Sequence, residues 1–236
     1  MLFDILSSDT SALQILQLVL AIPCIIIALS FHEAAHGFVA YKMGDPTARN
    51  LGRLTLNPIK HLDLFGCLFM LTIGYGWAKP VPINTRYFKN EKKGMALTAL
   101  AGPVTNLALG LIGILLFRAI YLITTIESIT NIISDSDGVY NLFLALFLLL
   151  ESFTLFNFTF AIFNMIPIPP FDGSRVLFAF LPDKYYFGIM KYERYIMIAL
   201  VLFLIVGPGF SVSEIAWYMM EGINELLNLI PFLSIG

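Results

Sequence analysis

The chain has 236 residues, 58% of them hydrophobic and 13% charged, and a mean hydropathy of +0.82. Soluble domains run about 45–50% apolar and about 25% charged, so this composition excludes an ordinary soluble domain and points to a membrane protein. A net charge of −2 excludes a broadly basic, nucleic-acid-binding surface, and two cysteines, Cys24 and Cys67, leave no disulfide framework.

Apolar stretches at 11–43, 95–124, 139–166, 190–207 and 211–231 are predicted as helices. The first follows an acidic N-terminus (Asp4, Asp9) and runs past the short apolar core of a signal peptide, so it reads as a helix of the mature protein. The piece 62–77 contains Gly66, Gly74 and Gly76 and is too short and broken for a span. It reads as a re-entrant loop or short hairpin covered by protein. The following segment 79–93, with Pro80, Pro82 and several cations, reads as an exposed connection. The expected fold is an all-α polytopic membrane protein of five to six hydrophobic helices. A re-entrant or β-hairpin-like, membrane-associated segment is expected near 62–94. One domain covers 1–236, with a core at about 11–207 and a C-terminal hydrophobic or amphipathic helix at 211–231.

Cations crowd the connection after the first helix: Lys42, Arg49, Arg53, Lys60, Lys79, Arg86, Lys89, Lys92 and Lys93. Arg175, Lys184, Lys191 and Arg194 follow the third, whereas 125–138 holds Glu127, Asp135 and Asp137 and no cation. The positive-inside rule therefore puts 42–94 and 167–191 in the cytoplasm and the N-terminus outside. The motifs at 32–36 and 164–173 fall toward that same cytoplasmic side.

The sharpest chemical signal is His32-Glu33-Ala34-Ala35-His36, which uses two of the three histidines in the chain. On a helix, residues four apart share a face, so both imidazoles can meet one Zn²⁺ while Glu33 borders that face as a general base. Three ionisable residues within five positions of an apolar helix are costly without a compensating partner, and a divalent cation is such a partner. A catalytic zinc takes a third protein ligand. The candidates are Asp172, Asp63, His61 and Glu151. Asp172 follows three prolines that end the third helix, in Asn164-Met-Ile-Pro-Ile-Pro-Pro-Phe-Asp172-Gly173, where Gly173 permits a tight turn. On pattern alone, Asp172 is equally well read as the cap of a following helix.

HExxH at the end of a hydrophobic helix, followed far downstream by NxxPxPPxDG, resembles the site-2 protease family of intramembrane zinc metalloproteases. The likeness spans about residues 20–180 and is to the compact prokaryotic branch, without PDZ or CBS domains. It implies one zinc per chain, held by His32, His36 and Asp172. It also implies that Glu33 is the base and that Asn164 orients the site or stabilises the oxyanion. Ala101-Gly102-Pro103-Val104-Thr105-Asn106 resembles the family's glycine-proline-asparagine element, which implies that Gly102 and Asn106 contact substrate; packing by small residues explains the element equally well. Asn57-Pro58 with His61 and Asp63, and Gly76-Trp77 with Pro80 and Pro82, are similar to the branch's substrate-contacting segment, Trp77 included. His61 stands as the second choice for third ligand, and Glu151 has no assigned role.

The activity so implied is hydrolysis of peptide bonds in or near transmembrane segments, with single-span membrane proteins as substrates and the bilayer as partner. The expected location is a prokaryotic cell membrane, with the active site toward the cytoplasm. The oligomeric state stays open. An inactive relative and an intramembrane metal transporter are the alternatives, although no histidine-rich loop or ligand-lined helix favours transport. A prenyl-protein peptidase would need a Glu third ligand in a later motif, and none follows.

Overall fold

The computed structural model describes residues 11–63, 65–66, 78–206 and 212–229. Three long helices dominate: α1 (Ala12–Lys42), α3 (Glu91–Thr124) and α5 (Asp137–Asn164). Between α1 and α3 lie α2 (Thr47–Asn50) and single 3₁₀ turns at Pro58–Lys60 and Thr85–Tyr87. Then come α4 (Glu127–Ser134), α6 (Asp172–Phe178), α7 (Asp183–Met190), α8 (Glu193–Val206) and α9 (Val212–Asn228).

Local chemistry sets these boundaries. Ser11 caps α1 in a reciprocal capping box with Gln14. The helix turns out at Gly44, whose φ of 107° favours glycine. The Asn90 side chain accepts from the Lys93 N–H at 2.9 Å and starts α3. The three prolines predicted to end the third helix do so: α5 stops at Asn164.

At 1.5 Å per residue the 31, 34 and 28 residues of α1, α3 and α5 reach about 46, 51 and 42 Å, enough to cross a hydrocarbon layer about 30 Å thick. These three helices are the candidate spans among the described residues. Of the expected five to six hydrophobic helices, these three have the length and composition of a span among the described residues. The apolar run at 190–207 starts within a polar stretch (Lys191, Glu193, Arg194), so α8 has 14 described residues, about 21 Å. Helix α9 has 17 residues interrupted by Glu214, Glu221 and Glu225, which makes it amphipathic. Of the segment near 62–94, most of 64–77 lies outside the described residues. What is described is a single antiparallel bridge between Leu62 and Ala78, with Lys79 N–H donating to the His61 carbonyl at 2.8 Å, so no strand forms among those residues.

The spans pack mutually, α3 against α1 and α5, and α1 against α5; α9 lies on α5 and α6 on α3. The close approach runs along a glycine seam of α3. A Cβ on Gly110 would meet the ring of the fully buried Phe158, and one on Gly113 would meet Thr154, both on α5. With lipid as apolar as the side chains, such small-residue contacts are what draw membrane helices together. Helix α9 is fastened differently. The buried Arg118 of α3 donates to Asn224 Oδ1 at 3.0 Å and to Asn228 Oδ1 at 2.9 Å.

Gly110→Ala is expected to force α3 from Phe158 and to destabilise the protein by about 1–3 kcal/mol. Gly222→Ala on α9, which meets open space, serves as the control. Thermal unfolding in detergent should show a lowered midpoint for the first and none for the second.

Candidate metal centre

The last third of α1 carries His32 and His36 one turn apart, and both are buried. Their rings stand 4.6 Å apart at 88°, so their edges converge while their faces do not stack. Each ring is fixed from behind. His32 Nδ1 lies 2.5 Å from the Asn106 side-chain oxygen, and His36 Nδ1 lies 2.8 Å from the Thr98 carbonyl, both on α3. An oxygen there accepts, so each Nδ1 carries the hydrogen and each Nε2 turns a lone pair toward the same point.

Asp172 meets them at that point. Its Oδ2 lies 3.1 Å from His32 Nε2 and 3.3 Å from His36 Nε2. Asp172 opens α6 and makes no capping bond there, since Phe171 is the N-cap residue. The capping alternative is thereby set aside and the carboxylate is left to the imidazoles. Gly173 is needed for room, not for an unusual turn, because it has no positive φ. A Cβ there would stand 2.8 Å from the Ile166 carbonyl oxygen and closer still to Met165.

The donor set fits zinc. With both Nδ1 atoms protonated, two Nε2 lone pairs and one carboxylate face one another within a largely buried space, a repulsive arrangement without a cation. Atoms bound to one tetrahedral zinc at about 2.0–2.2 Å stand about 3.3 Å apart, which matches the 3.1 and 3.3 Å from Asp172 Oδ2 to the two Nε2 atoms. Two nitrogens and one oxygen leave a fourth position open, the composition of a catalytic site.

Glu33 lies on the same helix, half-buried. Its Oε2 accepts from the Val81 N–H at 2.8 Å, and Oε1 has no hydrogen-bond partner among the described residues. The segment that brings Val81 there is laced to the residues that follow α1. Asn84 N–H donates to the fully buried Asp45 at 2.7 Å, and Arg53 donates to the Lys79 carbonyl at 2.7 Å.

The other sequence candidates fall as follows. Gly102 sits directly under the imidazoles: a Cβ there would stand 2.5 Å from His32 Cε1 and 2.6 Å from His36 Cε1. Asn106 is fully buried behind His32, and its Nδ2 hydrogens go to the Ala28 carbonyl at 3.1 Å and Asn157 Oδ1 at 2.9 Å. Both residues are buried: Gly102 packs beneath the two rings, and Asn106 holds the His32 ring with both of its own donors engaged. Asn164 ends α5 and donates one Nδ2 hydrogen to the Phe160 carbonyl at 3.1 Å. Trp77 lies outside the described residues.

His61 is fully buried, with Nε2 donating to the Thr55 carbonyl at 2.7 Å, and Asp63 accepts from the Gly66 N–H at 2.9 Å. Both fasten their own loop. Glu151 lines a cavity of about 230 Å³ with Ile114, Phe117, Phe147, Thr154 and Asn224, away from the cluster. Among the described residues, only His32, His36 and Asp172 converge as possible ligands. Sequence reasoning missed Asn157, although an amide in an apolar span three residues from Thr154, about one helical turn away, is a visible polar pair.

The profile of peptidase family M50 matches residues 20–206. A candidate zinc metalloprotease of Bacillus subtilis, YwhC, is 35% identical over 206 residues, 87% of this chain and 88% of that protein. A second, MJ0611 of Methanocaldococcus jannaschii, is 34% identical over 62% of this chain and 63% of its own. A third, Rip2 of Mycolicibacterium smegmatis, is 28% identical over 64% of this chain and 53% of its own. No solved structure matches.

Metal analysis of purified chains discriminates the candidate ligands. His61→Ala is expected to retain about one zinc per chain, whereas Asp172→Ala and Gly102→Ala fall well below it. Gly102→Ala fails although it removes no ligand, because its methyl displaces both rings.

Proposed function

The chain belongs to peptidase family M50, and from that premise we propose that it is a zinc-dependent endopeptidase that hydrolyses peptide bonds in or near transmembrane segments. The observation that carries the proposal is the convergence of His32 Nε2, His36 Nε2 and Asp172 Oδ2 on one point. Both imidazoles lie on α1, a helix apolar enough to cross a membrane. His36 and His32 stand about 9 and 15 Å along α1 from Lys42, below the charged end of the helix but within the hydrocarbon layer.

Zinc held by these three residues supplies a Lewis acid that acidifies water and polarises a carbonyl. The rest falls to the chain. Glu33 takes the proton of the attacking water at Oε1 while the Val81 N–H holds Oε2, and then delivers that proton to the departing amide nitrogen. Asn106 and Thr98 keep the two imidazoles in one tautomer and orientation. Asn164, with one Nδ2 hydrogen committed to its own helix, turns the other toward the developing oxyanion.

A substrate helix must open before it is cut, because its closed hydrogen-bond ladder hides the scissile carbonyl. Single-span membrane proteins are the proposed substrates. The cations after α1 and α5 support a site toward the cytoplasmic face of a prokaryotic cell membrane, with the N-terminus outside.

Glu33→Gln keeps the size of the side chain and removes the base. Cleavage of a membrane-embedded reporter is expected to fall by about 10²–10⁴-fold while bound zinc is unchanged. Turnover near the wild-type rate by this variant would refute the mechanism.

A further inference from the structure

A buried run of side-chain amides behind His32 crosses all three spans. It begins at the Phe153 carbonyl of α5, which can only accept. Asn157 Nδ2 donates to it at 2.8 Å, and this turns Asn157 Oδ1 toward α3. That oxygen accepts from Asn106 Nδ2 at 2.9 Å, and the other Nδ2 hydrogen goes to the Ala28 carbonyl of α1 at 3.1 Å. Both donors spent, Asn106 meets His32 Nδ1 with its oxygen, at 2.5 Å. Asn157 and Asn106 are both fully buried.

The direction of every bond in this run follows from its two backbone ends. Turning the Asn106 amide over would set its oxygen against both the Ala28 carbonyl and Asn157 Oδ1. Turning Asn157 over would set oxygen against the Phe153 carbonyl. In a buried setting, each reversal strands polar groups that water cannot reach. The only arrangement that satisfies all partners puts the hydrogen on His32 Nδ1 and the lone pair on Nε2, facing the metal point.

We infer that Asn157 is a positioning residue for the metal centre: acting through Asn106, it fixes the tautomer in which His32 can ligate. The assignment rests on the reading of His32 as a metal ligand. It gives α5 a hold on the first ligand of α1, in addition to delivering the segment that carries Asp172. Outer partners of ligating histidines are worth about 10–100-fold in metal affinity. Asn157, as one of two acceptors that fix Asn106, belongs at the lower end of that range.

The test is a double-mutant cycle on the full chain in detergent, with zinc titrated against a competing chromophoric chelator. Asn157→Leu is expected to weaken zinc binding about tenfold when Asn106 is present and to have no further effect in an Asn106→Leu background. A helix-packing role alone would give the same loss in both backgrounds, and that result would overturn the assignment. So would Asn157→Leu binding zinc within about twofold of wild type. If Asn157→Leu does not fold, Asn157→Ala enters the same cycle under the same criteria. Asn157→Ser keeps a hydroxyl that can donate to the carbonyl four residues back, as Ser30 does to Ile26 at 2.7 Å. It is expected to recover most of the lost affinity. A wild-type chain that takes up no zinc defeats the metal-centre reading itself, whereas wild-type binding with an unaffected Asn157→Leu defeats only the role of Asn157.

Discussion

Two imidazole nitrogens and a carboxylate oxygen, all acceptors, lie within 4.8 Å of one another in a largely buried space, the oxygen 3.1 and 3.3 Å from the two nitrogens. Water is too scarce there to solvate them, so the arrangement is stable only around positive charge. Much of the surrounding structure serves that convergence. Helix α1 supplies two ligands on one face, and α3 comes close enough to hold their outer nitrogens only because residue 102 has no side chain. The proline-ended α5 and the close packing of Gly173 on the Met165–Ile166 backbone deliver the third ligand.

The base is managed from the other side of the same helix. Glu33 lies one residue from a ligand yet is held by a backbone N–H of the extended stretch near Val81, which itself hangs on Asp45 and Arg53. Anything that moves this stretch also alters the carboxylate. Glycine contacts and buried amides, rather than a large apolar core, hold the spans in register, which suits a protein whose outer surface faces lipid.

Much of this was legible in the chain itself. The spacing of His32, Glu33 and His36 shows a shared helical face without any tertiary information, and the run of prolines before Asp172 shows a helix end. The choice of Asp172 over His61 was not legible locally. Both residues sit beside proline turns, and only the packing of α6 against α3 separates them. Gly102 and Asn106 were visible as a motif, but their purpose was not, since a glycine's function is the neighbour it admits and an amide's is its partner's identity. The three long spans were legible as apolar runs; for the later runs hydropathy measures the apolar stretch and not the length of helix within it. Three acidic residues make α9 amphipathic, and the polar opening of 190–207 shortens α8.

The most direct measurement is zinc K-edge X-ray absorption on the purified wild-type chain. Two imidazole ligands with their outer-shell scattering and a carboxylate oxygen at about 2.0–2.2 Å are expected, with one further light atom completing four-coordination. A spectrum with sulfur scattering, with no imidazole signature, or from protein that holds no stoichiometric zinc would contradict the account.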